Sequence, residues 1–322
     1  MHPLLAPLAF LLERFFGYPK VLLDSVGHPV MWFGRLIDSL EVRLNKPERT
    51  DTERQQAGIV ALIALLAATL VVTLIIVRFL ALLEYGWVVE ALLAVPFLAQ
   101  KQLGEMVKAV ADALDVSLEA GREAVSHIVG RDTRGLDESG VSRAAVESLA
   151  ENASDGVIAP LFWLVLFGLP GIALYKAINT ADSMIGHMDE RYRDYGWASA
   201  KLDDLVNWIP ARLTAVLITA GCFFVPGASP SSAWKAARRD AGGHKSPNAG
   251  WPEAAMAGAL GFALGGPREY DGETVDLPTM GDGRRQLRAS DVLRSVALYK
   301  AMLNVTLALV IVIALLRMAG HF

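Results

Sequence analysis

An uninterrupted apolar run excludes most folds for this chain. Residues 58–77, GIVALIALLAATLVVTLIIV, contain no charged side chain over 20 positions. A helix rises 1.5 Å per residue, so a run of this length crosses roughly 30 Å of hydrocarbon. A helix also satisfies its backbone hydrogen bonds internally, as a lipid environment requires. The run therefore predicts a transmembrane helix.

Further apolar segments occur along the whole chain, which is 53% hydrophobic with a mean hydropathy of +0.37. These values exceed those of an average soluble domain. We predict an all-α integral membrane protein, a single polytopic unit over residues 1–322 with about five transmembrane helices, some of them broken. The predicted spans lie near residues 58–77, 80–99, 156–178, 205–225 and 303–318. Leu169-Pro170-Gly171 interrupts the third span, which predicts either a kinked crossing or a segment that enters the membrane and returns.

Three polar segments separate the spans, at residues 1–57, 100–155 and 226–300. All three are rich in Lys and Arg, so the positive-inside rule predicts that they are cytoplasmic. Residues 101–130 repeat apolar side chains at helical spacing among charges and predict an amphipathic helix. Residues 226–300 predict a long Gly/Pro-rich loop. A net charge of -4 argues against a nucleic-acid partner, and the single Cys222 excludes an intrachain disulfide.

Three carboxylates recur at four-residue spacing in AAVESLAENASDGVIAPLF. On a helix, Glu147, Glu151 and Asp155 share one stripe, where like charges repel unless a cation lies over them. Oxygen-rich open sites suit Mg²⁺ carrying phosphate. The pattern favours hard-cation binding, and a solvated helix face is the alternative.

Two neighbouring segments carry polar side chains next to apolar runs. The first includes Asn179, Asp182, Arg191 and Arg193, and its arginines suit bidentate recognition of phosphate or carboxylate. A fringe facing lipid headgroups is the alternative for this segment. The second segment, residues 201–212, carries the polar side chains Asp203, Asp204, Asn207 and Arg212. Charged side chains in a membrane helix are costly unless they are ion-paired or in contact with water. This segment therefore indicates either a functional site or an Asp–Arg pair that anchors the helix.

A glycine-rich basic segment covers residues 239–253. Exposed backbone amides beside Arg239, His244, Lys245 and Asn248 predict an anion cradle. The segment is not a Walker motif, and the chain contains no HExxH, CxxC or Gly-x-Ser-x-Gly pattern. Zinc hydrolase and serine esterase chemistry are therefore not indicated.

The same segments resemble the adenosylcobinamide-phosphate synthase family of cobalamin biosynthesis, the CbiB/CobD membrane proteins. The matching stretches are residues 13–19 (ERFFGYP), 28–30 with 33–37 (HPV, FGRLI), 146–162, 178–212 and 244–261 (HKSPNAGWPEAAMAGALG). The resemblance implies an ATP-dependent C–N ligase of late corrinoid assembly. Such an enzyme joins aminopropanol phosphate, or a related amino alcohol, to the free propionate of adenosylcobyric acid and yields adenosylcobinamide phosphate.

Combined with the residue patterns, this resemblance suggests roles for individual side chains. The expected metal ligands, for Mg²⁺ bridging ATP phosphates, are Glu147, Glu151, Asp155 and Asp182. The expected catalytic carboxylates are Asp203, Asp204 and Glu151. The expected substrate- and phosphate-binding residues are Asn152, Asn179, Arg191, Arg193, Asn207, Arg212, Arg239, His244, Lys245 and Asn248. The expected route activates the propionate as an acyl phosphate, which the amine then attacks.

The expected ligands are ATP with Mg²⁺, a corrinoid, an amino-alcohol phosphate and membrane lipid, without a bound prosthetic group or nucleic acid. A multi-pass protein of the cell (inner) membrane with a cytoplasmic active face is expected. A homo-oligomer, or a complex with other membrane-bound late-pathway enzymes, is left open. The alternative function is a corrinoid-binding transporter or sensor without ligase activity, because broken helices and intramembrane charges also occur in transporters.

Overall fold

The computed structural model describes residues 1–19, 21, 24–25, 27–266, 268–270, 273–275 and 278–320. Its elements are predominantly helical, and the predicted fold class, an all-α integral membrane protein, is confirmed. A few residues of the predicted cytoplasmic segments 1–57 and 226–300 lie outside the described residues. The α-helices are α1 (Leu5–Phe16), α2 (Pro29–Leu44), α3 (Asp51–Leu80), α4 (Gly86–Ala94), α5 (Gln100–Leu114), α6 (Leu118–Ser126), α7 (Glu138–Ala153), α8 (Ala159–Ile185), α9 (Trp197–Gly221), α10 (Pro230–Asp240), α11 (Gly250–Leu260) and α12 (Ala289–Met318).

Within the described residues, 4 helical segments are long and apolar enough to cross a membrane. They are Asp51–Leu80, Glu138–Ile185, Trp197–Phe224 and Ala289–Met318. Four of the five predicted spans fall within these segments. The fifth, residues 80–99, differs: it holds the 9-residue helix α4 and the short 3₁₀ helix Val95–Phe97. A helix of that length rises only about 14 Å, which is less than half of a bilayer core.

The chain divides into two compact units, and the single polytopic unit expected from the sequence stays a prediction. Unit 1 comprises Met1–Ala99, Ala159–Asn207 and Val310–Phe322. Unit 2 comprises Gln100–Ile158 and Trp208–Leu309. Unit 1 contains the predicted span 58–77 and most of 156–178, whereas unit 2 contains most of the span 205–225 and most of the residues of two predicted polar segments.

In unit 1, helices α2, α3 and α8 enclose a core of small and aliphatic side chains that includes Ala61, Leu65 and Ala177. Helix α3 starts with a capping box, in which Thr50 and Glu53 bond reciprocally to each other's backbone amides. At Gly58 a β-carbon would lie 1.8 Å from the Tyr195 carbonyl oxygen. Only glycine allows this close approach of α3 to the segment after α8.

The predicted interruption of the third span is a kink at Gly168. Gly168 adopts φ 65° and ψ -151°, a conformation that favours glycine and breaks α8 before Pro170. The backbone amide of Leu169 is released from the helix and donates to Glu90 Oε1 at 3.1 Å. This contact explains why a buried carboxylate occurs on the apolar helix α4.

In unit 2, the single amphipathic helix expected over residues 101–130 is two helices. Ser117 caps the N-terminus of α6 by accepting from the Ala120 amide, so α5 ends at Leu114 and a new helix begins at Leu118. Side-chain capping of this kind competes with helix continuation. The amphipathic character is retained, and Val107 and Val110 are fully buried.

The expected loop over residues 226–300 is instead largely ordered by α10 and α11. Small side chains bring these two helices together: a β-carbon on Gly258 would lie 2.4 Å from the Ser232 carbonyl oxygen and 2.6 Å from the Ala236 β-carbon. Beyond α11 lie two antiparallel pairs of short strands, β1 (Leu264–Gly265) with β4 (Thr279–Met280) and β2 (Arg268–Tyr270) with β3 (Glu273–Val275). An Ala/Gly-rich interface has no strong hydropathy signal, which is why the sequence pattern resembled a loop.

Candidate functional site

Helix α7 carries two of the three carboxylates of the predicted stripe. Asp137 caps the helix by accepting from the Gly140 amide at 2.6 Å. Glu147 and Glu151 lie one turn apart on α7, but α7 ends at Ala153 and Ser154–Ile158 form a π-helical turn. The wider turn changes the direction of Asp155, so the assumption of one regular helical stripe is wrong at this position. Asp155 is half-buried in that turn.

A cavity of about 410 Å³ lies in unit 2 beside α7. Its charged and polar lining side chains are Arg131, Glu147, Ser148, Glu151, Asn152, His244, Lys245 and Glu253. The acidic helix and the basic segment 239–253, which are far apart in the sequence, therefore contribute to the same cavity. Its volume is within the range of small-molecule sites.

Glu147 is fixed within the cavity wall by two donors. Its Oε2 accepts from Arg131 Nη2 at 3.0 Å, and its Oε1 accepts from the Gly265 amide at 2.7 Å. Both side chains are largely buried. Glu147 thus bridges α7 to strand β1 and to the loop before α7, and its metal-ligand role stays a prediction.

The neighbouring residues of α7 differ in exposure from Glu147. Glu151 and Asn152 are exposed where they line the cavity. The Asn152 side-chain amide donates to the Ser148 carbonyl oxygen at 2.9 Å and to Ser148 Oγ at 3.3 Å. Ser148 in turn donates to the Ile128 carbonyl oxygen at 2.7 Å and holds α7 against the preceding loop.

The opposite wall is a tightly turned loop that leads into α11. Ser246 Oγ accepts from the amides of Asn248 and Ala249, both at 3.2 Å. His244 Nδ1 lies 3.0 Å from the Ser246 amide nitrogen, and its Nε2 lies 3.6 Å from Glu253 Oε1. Glu253 is 4% exposed. The loop thus fixes the His244 ring between a backbone amide and a buried carboxylate, with the exposed Lys245 beside it.

Arg212 holds this loop against α9. Its guanidinium lies between the rings of Trp208 and Trp251, at 4.2 and 4.8 Å from their centroids. It also donates to the Trp208 carbonyl oxygen at 2.7 Å and to Asn248 Oδ1 at 3.3 Å. Asn248 is buried. In this structure Arg212 and Asn248 form a structural clamp, and their substrate-binding roles stay predictions.

Arg239 is engaged by two carboxylates. It bonds bidentately to Asp240 at 2.6 and 2.8 Å and to Asp282 at 2.7 Å. These hydrogen bonds, first to Asp240 and then to Asp282, raise the pKa of Arg239, and the bond to Arg239 lowers the pKa of Asp282. Asp240 also accepts from the Gly281 amide at 2.7 Å. Arg239 therefore joins α10 to the loop after β4 in this structure, which differs from the expected phosphate contact.

In unit 1, three predicted residues, Asn179, Asp203 and Asn207, belong to a buried or half-buried network of hydrogen-bonded polar side chains. Asp203 accepts from Asn207 at 2.9 Å and from Asn179 at 3.4 Å. Tyr175 donates to Asn207 Oδ1 at 2.9 Å, and Lys176 donates to Asn179 Oδ1 at 3.2 Å. Asn207 is 1% exposed and Asp203 is 9% exposed. Asn179 and Asn207, which were expected to orient substrate amides, both donate to Asp203 in this structure, and the expected roles of all three residues stay predictions.

The remaining predicted residues of unit 1 lie in α8, in α9 and in the segment between them. Asp182 and Asp204 are half-buried on these two helices. Arg191 bonds bidentately to Glu41 at 3.1 and 3.0 Å, and the hydrogen bond to Glu41 raises its pKa. Arg193 lies 3.3 Å from Asp194 and 3.8 Å from Asp51. Both arginines are therefore ion-paired on the surface of unit 1, and their phosphate-binding roles stay predictions.

The arrangement of carboxylates does not form a cage for a resident metal. Among the described residues, no group of three or more His, Cys, Asp or Glu side chains has the geometry of a metal site. Glu147 is bonded to Arg131 and Gly265, and Asp182 belongs to unit 1. The predicted four-carboxylate metal site therefore does not fit the residues present, although Mg²⁺ bound to substrate phosphates needs fewer protein ligands.

Sequence reasoning missed four residues whose polar groups contribute to the cavity wall. Arg131, Ser148, Glu253 and the Gly265 amide were not predicted. Glu253 had a usable signal, because a single carboxylate on the apolar helix GWPEAAMAGAL indicates a buried partner. Arg131 and Gly265 had none, since their role depends on Glu147, which is distant in the sequence.

Comparison with known proteins gives a consistent result across the chain. The CobD/Cbib protein family matches residues 6–299. A protein named Cobalamin biosynthesis protein CobD from Sinorhizobium sp is 46% identical over 317 residues, covering 97% of this chain and 98% of the relative. Proteins of the same name from Rhizobium meliloti (strain 1021) and Rhodobacter capsulatus are 47% and 48% identical, and each alignment covers at least 93% of both chains. No solved structure gives a significant match.

Proposed function

The chain belongs to the CobD/CbiB protein family, and from that premise we propose that it carries out a late step of cobalamin biosynthesis. The proposed reaction is ATP-dependent formation of an amide between an amino-alcohol phosphate, such as aminopropanol phosphate, and the free propionate of adenosylcobyric acid. The product is adenosylcobinamide phosphate. The relatives' shared name supports the pathway, and the resemblance of the motifs supports the reaction.

One observation supports a particular location for the proposed reaction, the cavity in unit 2. The cavity in unit 2 combines carboxylates on α7 with His244 and Lys245 on the facing loop. A ligase for a phosphorylated amine needs a proton acceptor for the ammonium group and cations for phosphate. Both kinds of side chain line this single cavity.

The proposed chemistry proceeds in two steps. The propionate oxygen attacks the γ-phosphorus of ATP, the bond from that phosphorus to ADP breaks, and an acyl phosphate forms. The amine nitrogen, after losing one proton, attacks the acyl carbon, the bond from that carbon to the bridging oxygen breaks, and the departing inorganic phosphate takes that oxygen and the second proton of the nitrogen. Activation is needed because a carboxylate is a poor electrophile, and positioning with charge neutralisation dominates phosphoryl-transfer catalysis.

Individual side chains have proposed roles in these steps. Lys245 and His244 would neutralise phosphate charge, and Glu151 would accept the proton that the ammonium group loses. Asn152, exposed at the same wall, would donate to or accept from an amide of the corrinoid. Asp203 and Asp204 are not needed for these steps, since Asp203 already accepts two hydrogen bonds within unit 1. Mg²⁺ would enter with ATP as part of that substrate and offset its phosphate charge, and no step depends on a protein-bound metal.

The proposal extends to location. Four apolar helices support a membrane protein, and a bacterial cell membrane with the cavity on the cytoplasmic face would give access to ATP. The basic polar segments of unit 2 support that orientation through the positive-inside rule.

The test is a reconstituted assay. Purified protein in nanodiscs receives ATP, Mg²⁺, adenosylcobyric acid and aminopropanol phosphate, and mass spectrometry follows the amide while a coupled assay follows ADP. We expect one ADP for each amide formed. Corrinoid binding without ADP release would instead support the transporter or sensor alternative and exclude the ligase.

A further inference from the structure

The charges that line the unit 2 cavity have both signs. Arg131 and Lys245 are cationic, Glu147, Glu151 and Glu253 are anionic, and His244 lies 3.6 Å from the buried Glu253. A ligand with only negative charge, such as a nucleotide triphosphate without its metal, meets three carboxylates here. A ligand with only positive charge meets the Arg, Lys and His side chains. Opposite charges on one ligand match both walls.

The hydrogen bonds within the cavity wall engage Glu147, and the exposed charges of the wall have opposite signs on two elements. Glu147 is bonded to Arg131 and the Gly265 amide, which fixes the deep part of the α7 wall. The exposed side chains towards the opening are Glu151 on α7 and Lys245 on the loop before α11. A negative position and a positive position therefore face the same space from two different elements.

A second observation points to an anionic group deeper in the site. The Nε of Arg131 is buried and has no hydrogen-bond acceptor within the part of the chain that the structure describes. A buried donor without an acceptor is costly and uncommon in native proteins. An anion next to Arg131, after a small adjustment of this side chain, would supply the acceptor that the protein lacks.

From these observations we propose that the cavity is the subsite for a small zwitterion that carries an ammonium and a phosphate group. The ammonium group contacts Glu151, and the phosphate contacts Lys245, His244 and the Arg131 guanidinium. This assignment rests on the proposed function, and it places the amine substrate, rather than ATP or the corrinoid, in the cavity. The volume of about 410 Å³ suits a small phosphate ester and is too small to enclose a corrinoid.

The experiment measures binding without turnover. Isothermal titration of the protein in nanodiscs uses O-phosphoethanolamine as the probe, with inorganic phosphate and ethanolamine as its two separate halves. We expect the probe to bind at least tenfold more tightly than either half, because each charge-assisted contact contributes to affinity. Equal affinity for the probe and for inorganic phosphate would overturn the ammonium half of the assignment.

Variants test which side chain contacts the ammonium end of the probe and which contacts its phosphate end. Glu151→Gln should lower the affinity for the probe at least tenfold and leave the affinity for inorganic phosphate unchanged. Lys245→Ala should lower the affinity for both the probe and inorganic phosphate. Matched controls come from exposed ion pairs elsewhere in unit 2: Glu123→Gln and Lys108→Ala should leave both affinities at the native value. Native probe affinity in Glu151→Gln and Lys245→Ala would overturn the proposal, and thermal unfolding of each variant shows whether it is folded.

Competition separates this inference from the proposed function. MgATP should not displace the probe, and competitive displacement would assign the cavity to the nucleotide and overturn the inference. If amide forms but the two variants bind the probe normally, the subsite is wrong and the ligase function stands. If the variants lose the probe but native protein forms neither ADP nor amide, the subsite stands and the ligase function is wrong.

Discussion

The polar side chains around Asp203 in unit 1 are bonded to one another, whereas those around Glu151 in unit 2 line an open cavity. In the first group Tyr175, Asn207 and Asp203 form consecutive hydrogen bonds, and Asn207 is 1% exposed. In the second group Glu151 and Lys245 are exposed to the cavity. Both groups have the composition of a catalytic site, so composition alone does not distinguish a structural network from a binding site. The surroundings of each side chain make that distinction.

The largest expected effect is a loss of stability when the hydrogen-bond network around Asp203 in unit 1 is broken. Asn207→Leu removes an acceptor for Tyr175 and a donor to Asp203, so that two buried polar groups each lose a hydrogen bond. We expect a loss of roughly 2–6 kcal/mol in unfolding free energy, at about 1–3 kcal/mol per group. Denaturant unfolding in detergent micelles measures this loss.

Asn152→Leu is the matched control in unit 2, because Asn152 is exposed and its side-chain amide donates locally to Ser148 on the same helix. We expect a change of about 0.5 kcal/mol or less. A similar loss in both variants would show that the two asparagines do not differ in the way that their surroundings indicate.

The second-largest expected effect is a loss of activity that leaves the stability of the protein almost unchanged. Lys245→Ala should lower kcat/KM by roughly 10- to 100-fold, the equivalent of about 1.5–3 kcal/mol for a hydrogen bond to a charged group. Its unfolding free energy should change by about 0.5 kcal/mol or less, because the side chain is exposed. Steady-state kinetics and denaturant unfolding on the same preparation check both values. A large loss of stability with unchanged kinetics would reverse the proposed contrast between the units.

The third effect tests the clamp that shapes the cavity wall. Arg212→Lys keeps the charge but loses the planar group between Trp208 and Trp251 and the paired contacts to α9 and Asn248. We expect a loss of about 1–2 kcal/mol, from two cation–π contacts of about 0.5–1 kcal/mol each. Hydrogen exchange should increase over residues 244–250 and remain unchanged in unit 1. Unchanged exchange in the loop would exclude the clamp.

The smallest effect is a pH dependence in unit 1. Burial, and then the positive charge of Lys176, lower the pKa of His28 below its ordinary value of 6.5. His28 Nδ1 also accepts from the Val30 amide at the start of α2, which protonation would prevent. The folded state therefore binds fewer protons than the unfolded state. Its stability should be constant above pH about 6.5 and fall as the pH drops below that value.

Unfolding free energies of native protein and of His28→Asn, measured at several pH values between about 7.5 and 5, isolate this group, since His has its ordinary pKa in that window. Asn keeps an acceptor for the Val30 amide and does not titrate, so the part of the slope due to His28 should disappear. An identical slope in the two proteins would assign the pH dependence to other groups.

Local sequence features predicted several elements of the fold because the relevant energies are local. The absence of charge from residues 58–77 determines that this helix is stable in hydrocarbon, and the Leu169-Pro170-Gly171 break corresponds to the kink at Gly168. Residues 80–99 were misjudged because hydropathy records how apolar a segment is but not how many of its residues are helical. The α10–α11 pair was missed because packing through Ala and Gly depends on close approach rather than on hydrophobicity.

The candidate site divides in the same way. Motif spacing indicated Glu151, Asn152, His244 and Lys245, which do line the cavity, although their roles stay predictions. It also indicated Arg212, Arg239 and Asn207, which the structure shows bonded to protein partners. Residue type and spacing describe the chemistry that a side chain is capable of, but not which partner already occupies it.

By itself the sequence of this protein determines that it is a helical membrane protein and where its polar chemistry is concentrated. Those properties follow from the summed transfer energies of neighbouring residues and from helical spacing. Only the tertiary structure decides that Glu147 is bonded to Arg131 and Gly265 while Glu151 faces a cavity, or that Asp203 is enclosed by amides. These partners are distant in the chain, and their contacts depend on how the helices pack, which no local pattern encodes.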